Sequence, residues 1–190
     1  MGFVGRSRNS APPYGWNPMN PTRLIPTRPF PPYAFLPGRD PHPTRDPKGH
    51  SAGTDNKPDG TDTKPSLPSN WATNGEYLYG IDLYNHGYLW EAHEAWEGLW
   101  HPAKSDPIMA DFLQGLIQCA AAALKVRMGQ PKGVVALAGM GTERLERVSR
   151  LNQGVYGGLD LEAFVPAFRA FAASEPKDEN ARPMIELESL

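Results

Sequence analysis

The sequence predicts an all-α protein, a compact bundle of about five helices that carries an extended, proline-rich N-terminal arm. Three observations lead to this class. Apolar residues recur at helical spacing from about Asn74 onward. No stretch alternates apolar and polar residues as a half-buried strand would. Finally, 15 of the 21 prolines precede Asn70, and proline disfavours long helices and central strands there.

The arm is assigned to residues 1–50, and a linker to residues 51–70. Between Tyr14 and Phe35 the arm carries five aromatic residues: Tyr14, Trp16, Phe30, Tyr33 and Phe35. Disordered segments are usually poor in aromatic residues, so we expect the arm to be extended but docked on the helices. The linker has no large apolar residue before Leu67, which is typical of a flexible connection.

The helical domain is expected to span residues 71–174. Its first helix begins near Asn74, with Thr73 or Asn74 as N-cap, and Gly87 ends it. A second helix follows, from about Tyr88 to Trp100. We expect Pro102 to block its continuation, so the two helices form an antiparallel hairpin.

Three more helices complete the predicted bundle. The third begins after Ser105 or Asp106 and is apolar nearly all round, which is typical of a central helix. The fourth runs from about Pro131 to Leu151, and we expect its Gly139 and Gly141 to let a neighbouring helix approach closely. Asp160 caps a short last helix, in which Pro166 marks either a kink or the true start. Residues 175–190 are expected to be a frayed tail.

Composition excludes some classes of function. The formal net charge of −2 provides no basic field to hold nucleic acid, so we expect no nucleic-acid partner. The apolar run from Ile108 to Leu124 is interrupted by polar residues, which favours a core helix over a membrane span. The single cysteine, Cys119, allows no internal disulfide. With no apolar signal segment at the N-terminus, this favours a cytoplasmic location.

Two motifs on the predicted second and third helices resemble a known family. They are Glu91-Ala92-His93-Glu94-Ala95-Trp96-Glu97-Gly98-Leu99-Trp100 and Gln114-Gly115-Leu116-Ile117-Gln118. Together they resemble domain-of-unknown-function family 309, over roughly residues 74–151. The arm lies outside that core, although residues 37–51 are similar to leaders of some longer members. The resemblance implies a small all-α fold and no established activity.

The first motif holds the candidate catalytic residues His93, Glu94 and Glu97. His93 and Glu97 are one turn apart on one helix face, whereas Glu94 points roughly 100° away around the helix. His93 and Glu97 could bind Zn, Mn or Fe, which accept mixed nitrogen and oxygen ligands. Alternatively, these residues work as an acid–base pair, or Glu97 only orients a buried His93.

The second motif supplies candidate pocket-lining residues. Gln114 and Gln118 are one turn apart on an otherwise apolar helix. Burying an amide without partners costs on the order of 1–3 kcal/mol. We therefore expect the two glutamines to join His93 and Glu97 in one polar cluster or to line a pocket. Trp100 and Asn85 are also assigned to the pocket lining, although core packing explains a tryptophan equally well.

The arm holds a third constellation, His42, Asp46 and His50, in a proline-stiffened segment. One interpretation is local turn formation, with Asp46 before a proline. The other is that the arm closes over the His93 face of the second helix and encloses a polar pocket. A random-coil linker of about 20 residues spans roughly 25 Å, which permits that return.

Three classes of function therefore remain open. The first is a module that binds a small molecule or a protein partner through a His/Glu/Gln pocket, and a homodimer is one such partner. The second is a hydrolase, metal-dependent or acid–base, that uses His93 with Glu94 or Glu97. The third is a purely structural helical domain. A cofactor is not specified by the sequence; a divalent metal is one option.

Overall fold

The computed structural model describes residues 21–53 and 70–188, and its fold is mainly α-helical as predicted. Its regular elements, in chain order, are α1 (Gly75–Asn85), α2 (Leu89–Ala103), α3 (Pro107–Arg127), α4 (Pro131–Leu151), β1 (Val155–Tyr156), β2 (Leu159–Asp160) and α5 (Leu161–Ala173). Short 3-10 turns at Trp71–Thr73 and Glu179–Ala181 flank this set.

Helices α1 and α2 form the predicted hairpin. The Asn74 side chain accepts a hydrogen bond from the Tyr77 amide and caps α1, and Gly87, at φ +82°, turns the chain after it. Helix α2 continues through Pro102, so the prediction that this proline ends the helix is wrong. Proline removes the amide that would bond to the Gly98 carbonyl. Gly98 is exposed, so water can satisfy that carbonyl.

Helix α3 is the central helix of the bundle and packs against both α2 and α4. The Asp106 carboxylate caps it by accepting hydrogen bonds from the Ile108 and Met109 amides. The helix is long and apolar enough to pass the length and composition test for a membrane span, yet 61% of its most apolar stretch is buried inside the bundle. That degree of burial is typical of a core helix. Burial also raises the pKa of the Cys119 thiol well above its ordinary value, which makes Cys119 a poor nucleophile.

Glycine allows α3 and α4 to approach closely. A Cβ added to Gly141 would lie 2.9 Å from the Gly115 carbonyl oxygen, and one added to Gly115 would lie 2.6 Å from Leu145 Cγ. The expectation for Gly141 is confirmed. That for Gly139 is wrong, because no other atom lies within 4 Å of its Cβ position.

A short antiparallel hairpin joins α4 to α5. Strands β1 and β2 pair Val155 with Asp160 and Tyr156 with Leu159, and two glycines with positive φ form the turn between them. Two-residue strands are too short to produce an alternating pattern, so the sequence analysis missed them. Helix α5 begins at Leu161 with Asp160 as its N-cap, so Pro166 lies inside the helix and does not mark its start.

The C-terminal segment is docked up to residue 188, and the expected frayed tail is wrong for this part. Asn85 donates from Nδ2 to the Ile185 carbonyl and accepts the Ile185 amide at Oδ1, both at 2.9 Å. The Tyr84 hydroxyl donates to the Pro183 carbonyl. The Arg182 guanidinium is buried and donates to the Tyr84 carbonyl. These contacts fix the segment against the end of α1.

The described part of the arm, residues 21–53, also lies against the helices. Phe35 is buried, and Leu24, Ile25, Phe30 and Leu36 are partly buried against the core. The Phe30 ring stacks on Tyr88 at a centroid distance of 4.8 Å. This part of the arm is therefore docked on the helices. Tyr14, Trp16 and most of the predicted linker lie outside the described residues.

We predict that Gly80→Ala destabilises the hairpin. An added Cβ would lie 2.7 Å from Trp96 Cδ1 and 2.8 Å from Cε2, and Trp96 is fully buried with no room to retreat. Overpacking of this kind costs about 1–3 kcal/mol, which outweighs the roughly 1 kcal/mol that alanine adds to helix propensity. Urea denaturation of the whole chain measures the difference.

Gly98→Ala on α2 is the matched control. No atom lies within 4 Å of its Cβ position, so only the propensity term applies. This variant is expected to be as stable as the parent or up to about 1 kcal/mol more stable. A Gly80→Ala protein that unfolds at the same urea concentration as the Gly98→Ala protein would contradict the packing argument.

Candidate functional site

Three polar side chains lie together on the outer face of α2. One nitrogen of His93 and one carboxylate oxygen from each of Glu94 and Glu97 all lie within 4.8 Å of one another. His93 Nδ1 is 3.2 Å from Glu94 Oε1. All three residues are partly exposed, so an ion or small ligand can reach them directly from solvent.

The structure adds one member to the pair that helical spacing indicates. His93 and Glu97 share a face because they are one turn apart. Glu94 follows His93 directly, yet its carboxylate reaches the imidazole. A glutamate side chain is long enough to cross the roughly 100° that separates adjacent residues around a helix. The spacing of Cα positions alone does not show this. We call His93, Glu94 and Glu97 the α2 cluster.

The end of α2 provides a second histidine near the cluster. His101 Nε2 lies 3.9 Å from Glu97 Oε1. Trp100, predicted to line a pocket, packs its ring beside His101 at 5.2 Å and carries the Lys104 ammonium over its face at 4.1 Å. Trp100 therefore packs beside His101 and Lys104 at the C-terminal end of α2.

The predicted polar network between α2 and α3 does not form. Within the described residues, the ion pairs of His93 and Glu97 go to Glu94 and His101. Gln118 Oε1 is buried with no hydrogen-bond partner in this part of the chain, and Gln114 is partly buried. Asn85 binds the C-terminal segment, so it does not line a pocket at the α2 cluster.

The arm does reach α2, but at Trp90 and Glu91. Glu91 Oε1 accepts a hydrogen bond from the Phe35 amide at 2.9 Å and lies 3.3 Å from His50 Nε2. The His42 ring packs edge-on against Trp90, at a centroid distance of 5.6 Å. These contacts lie about one turn N-terminal to the α2 cluster. The arm histidines therefore contact α2 at Trp90 and Glu91, and their approach to the His93 face itself stays a prediction.

Asp46 has a local role. Its carboxylate accepts the Lys48 amide at 2.9 Å, and its own amide donates to the His42 carbonyl at 3.1 Å. Both contacts belong to a turn, which agrees with the turn-forming interpretation of the sequence.

Glu91 is one of two buried carboxylates on the hairpin. Its side chain is 5% exposed, and that of His50 is 6% exposed. Loss of water raises the pKa of Glu91 above its ordinary value, and the hydrogen bond from the Phe35 amide lowers it in part. Its second oxygen, Oε2, has no hydrogen-bond partner within the described residues.

Asp82 on α1 is the second buried carboxylate that holds the arm. It accepts the Leu24 amide at Oδ1 (2.7 Å) and the Ile25 amide at Oδ2 (2.8 Å), and it is 1% exposed. This role of Asp82 was not predicted from the sequence. The available signal was an aspartate between Ile81 and Leu83, within a helix that is otherwise apolar in that turn.

Comparison with known proteins finds a family match over most of the hairpin, α3 and the start of α4. Residues 77–137 match DUF309, a domain of unknown function. The similarity to this family covers about a third of the chain. The matched region runs from Tyr77 in α1 to Leu137 in α4, so it includes the α2 cluster and both buried carboxylates. No curated protein matches the chain, and no solved structure matches it.

The match fits the architecture and specifies no activity. The match ends inside α4, so the arm, the β-hairpin, α5 and the docked C-terminal segment are outside the matched residues. Helix α1 holds two of these additions. Asp82 holds the arm, and Asn85 holds the C-terminal segment.

We predict that Asp82→Asn releases the first part of the arm. Asparagine keeps one acceptor oxygen, but its NH₂ group would face the second backbone N–H of the arm, so two donors would face each other. One charge-assisted hydrogen bond is therefore lost. Hydrogen bonds to charged groups contribute about 1.5–3 kcal/mol. Cleavage by trypsin after Arg23, followed by mass spectrometry, should accelerate by roughly tenfold or more.

Glu76→Gln is the control for this experiment. Glu76 also contacts the arm, through Arg28, but both side chains are about half exposed, and exposed pairs contribute about 0–1 kcal/mol. Its cleavage rate should stay close to that of the parent. Equal rates for Asp82→Asn and Glu76→Gln would show that the buried carboxylate does not hold the arm.

Proposed function

We propose that this protein is a metal-binding module and that the α2 cluster of His93, Glu94 and Glu97 holds a divalent transition-metal ion. The observation that carries the proposal is the convergence of one imidazole nitrogen and two carboxylate oxygens within 4.8 Å of one another. The single helix α2 supplies all three, so the set does not depend on a domain movement.

The donor set indicates the class of ion. Imidazole together with carboxylates suits Zn²⁺, Mn²⁺ or Fe²⁺, whose nitrogen and oxygen ligands lie at about 2.0–2.2 Å. Donors at that distance around one ion are roughly 3–3.5 Å apart. The His93–Glu94 separation of 3.2 Å already fits, and a change of side-chain rotamer at Glu97 would bring in its carboxylate.

Three protein ligands would leave further coordination positions open to solvent. Such positions can accept a small anionic molecule or a side chain from a partner. His101 is close enough to Glu97 to be a fourth ligand after a rotamer change. A ligand-binding or partner-binding role is therefore the form that this metal site favours.

The hydrolase alternative has less support. Two surface depressions of the described residues are lined by other side chains: one lies beside the β-hairpin, the other between α4 and α5. The α2 cluster lies on a partly exposed helix face, whereas general acid–base catalysis gains most in a cavity that holds its substrate in place. We therefore propose binding, and no reaction, for this site.

We predict that the purified chain, stripped of metal and of any affinity tag, binds one divalent ion per molecule. Isothermal titration calorimetry with Zn²⁺, Mn²⁺ and Ni²⁺, together with equilibrium dialysis and elemental analysis, measures affinity and stoichiometry. His93→Gln and Glu97→Gln each remove one ligand while preserving side-chain size. Each should weaken binding by at least tenfold, about 1.4 kcal/mol.

Two further variants sharpen the result. Glu76→Gln removes an exposed carboxylate on α1 and should leave the affinity unchanged. His101→Gln should weaken binding only if His101 is the fourth ligand. The proposal fails if the chain binds no ion at millimolar concentrations of metal, or if binding survives His93→Gln and Glu97→Gln undiminished.

A further inference from the structure

Helix α4 presents an apolar face to solvent on its N-terminal half. Val135 is 63% exposed and Met140 is 46% exposed, and with Leu151 they are the exposed large hydrophobic residues of the described chain. Between them lie exposed Ala136 and partly exposed Gly139, and the Cβ position of Gly139 faces open space. These four residues share one side of the helix, because they are spaced three or four apart.

A charged residue stands at each end of this apolar face. Lys132 lies one turn before Val135 and Ala136, and Glu143 lies one turn after Gly139 and Met140. Both side chains are exposed. No ion pair involves either side chain within residues 21–53 and 70–188. We call the six residues from Lys132 to Glu143 the α4 face: Lys132, Val135, Ala136, Gly139, Met140 and Glu143.

The neighbouring charges on α4 are already paired within the chain. Glu146 lies 3.1 Å from Arg169 and 3.7 Å from Arg150, and Arg147 lies 3.1 Å from Asp111. The C-terminal half of the helix therefore satisfies its charges internally. The two charges at the ends of the α4 face have no such ion pair within residues 21–53 and 70–188.

We propose that the α4 face docks against the α4 face of a second copy, with the two helices antiparallel about a twofold axis. The six residues are placed symmetrically about the point between Leu137 and Ala138. Antiparallel pairing at that point sets Lys132 opposite Glu143, Val135 opposite Met140 and Ala136 opposite Gly139. An isologous twofold interface makes each contact twice.

Charge and size both select this arrangement. In a parallel pair, Lys132 would face Lys132 and Glu143 would face Glu143, which is repulsive. In the antiparallel pair each lysine meets a glutamate. Ala136 and Gly139 at the centre let the helix axes approach toward the short end of the usual 8–10 Å range. Val135 and Met140 of each copy then pack on either side of this central Ala136–Gly139 contact.

The size of the α4 face sets the strength of the contact. Three helical turns per copy bury less than the 1,200 Å² or so of a standard interface, so the dimer is expected to be weak and to depend on protein concentration. The groove between α4 and α5 is lined by Val135, Gly139 and Glu143 of the face together with Thr142 and Ala172.

Sedimentation velocity of the whole chain tests the proposal, in EDTA so that no metal ion bridges two α2 clusters. The parent should pass from monomer to dimer across micromolar to submillimolar concentrations. Lys132→Glu alone places carboxylates opposite each other, and Glu143→Lys alone places ammonium groups opposite each other. Each single variant should weaken dimerisation by roughly fivefold or more.

The charge-swapped variants also test the register. Lys132→Glu mixed with Glu143→Lys should form a heterodimer, since the two introduced charges then face each other and the native Lys132 faces the native Glu143. The double variant, Lys132→Glu with Glu143→Lys, should dimerise like the parent. Both positions are exposed, and circular dichroism checks that the helices are intact.

Two results would overturn the proposal. One is a parent chain that stays monomeric at all concentrations, which would leave the α4 face to a different partner. The other is a dimer that neither single variant weakens, which would place the contact on another surface. Both results are independent of metal binding at the α2 cluster, so either proposal can fail without the other.

Discussion

Two buried carboxylates on the helical hairpin, Asp82 and Glu91, are the constraint on which the rest of the molecule depends. A carboxylate loses several kcal/mol of hydration when it is buried without partners. Here the partners are backbone amides of the arm: those of Leu24 and Ile25 for Asp82, and that of Phe35 for Glu91. The hairpin therefore requires the arm to satisfy its charges. The arm requires the hairpin to bury Phe35, because its prolines deny it regular secondary structure of its own.

This arrangement also decides which part of α2 is open. The arm covers the first turn of the helix, where Trp90 and Glu91 lie, and the core takes the face that carries Trp96. The partly exposed remainder holds His93, Glu94 and Glu97. The arm thus borders the proposed metal site without contributing a ligand through any contact described above. His50 contacts Glu91, whereas His42 packs against Trp90 and accepts the Thr44 amide within its own turn.

The two proposed binding surfaces lie on helices that flank α3 and do not share residues. Helix α3 packs against α2 and α4, and the Gly115–Gly141 contact holds α4 close to it. A rigid central helix gives the α2 cluster and the α4 face a fixed relation within one chain. A twofold dimer through α4 would therefore hold two α2 clusters at a fixed separation. Such a pair of sites can bind a partner that carries two matching groups, and the second contact then benefits from a high effective concentration.

The sequence by itself determined the features that depend on neighbours along the chain. Asn74, Asp106 and Asp160 cap their helices by bonds to amides two or three residues away, and the proximity of His93 to Glu97 follows from one helical turn. Tertiary structure decided the rest, since the responsible contacts join residues 57 to 100 positions apart. Asp82 looks like an ordinary core-helix aspartate until the arm folds onto it, and residues 175–188 look like a tail until Asn85 binds Ile185. Periodicity and capping cannot show such contacts, because they carry no information about which distant backbone group will satisfy a buried polar side chain.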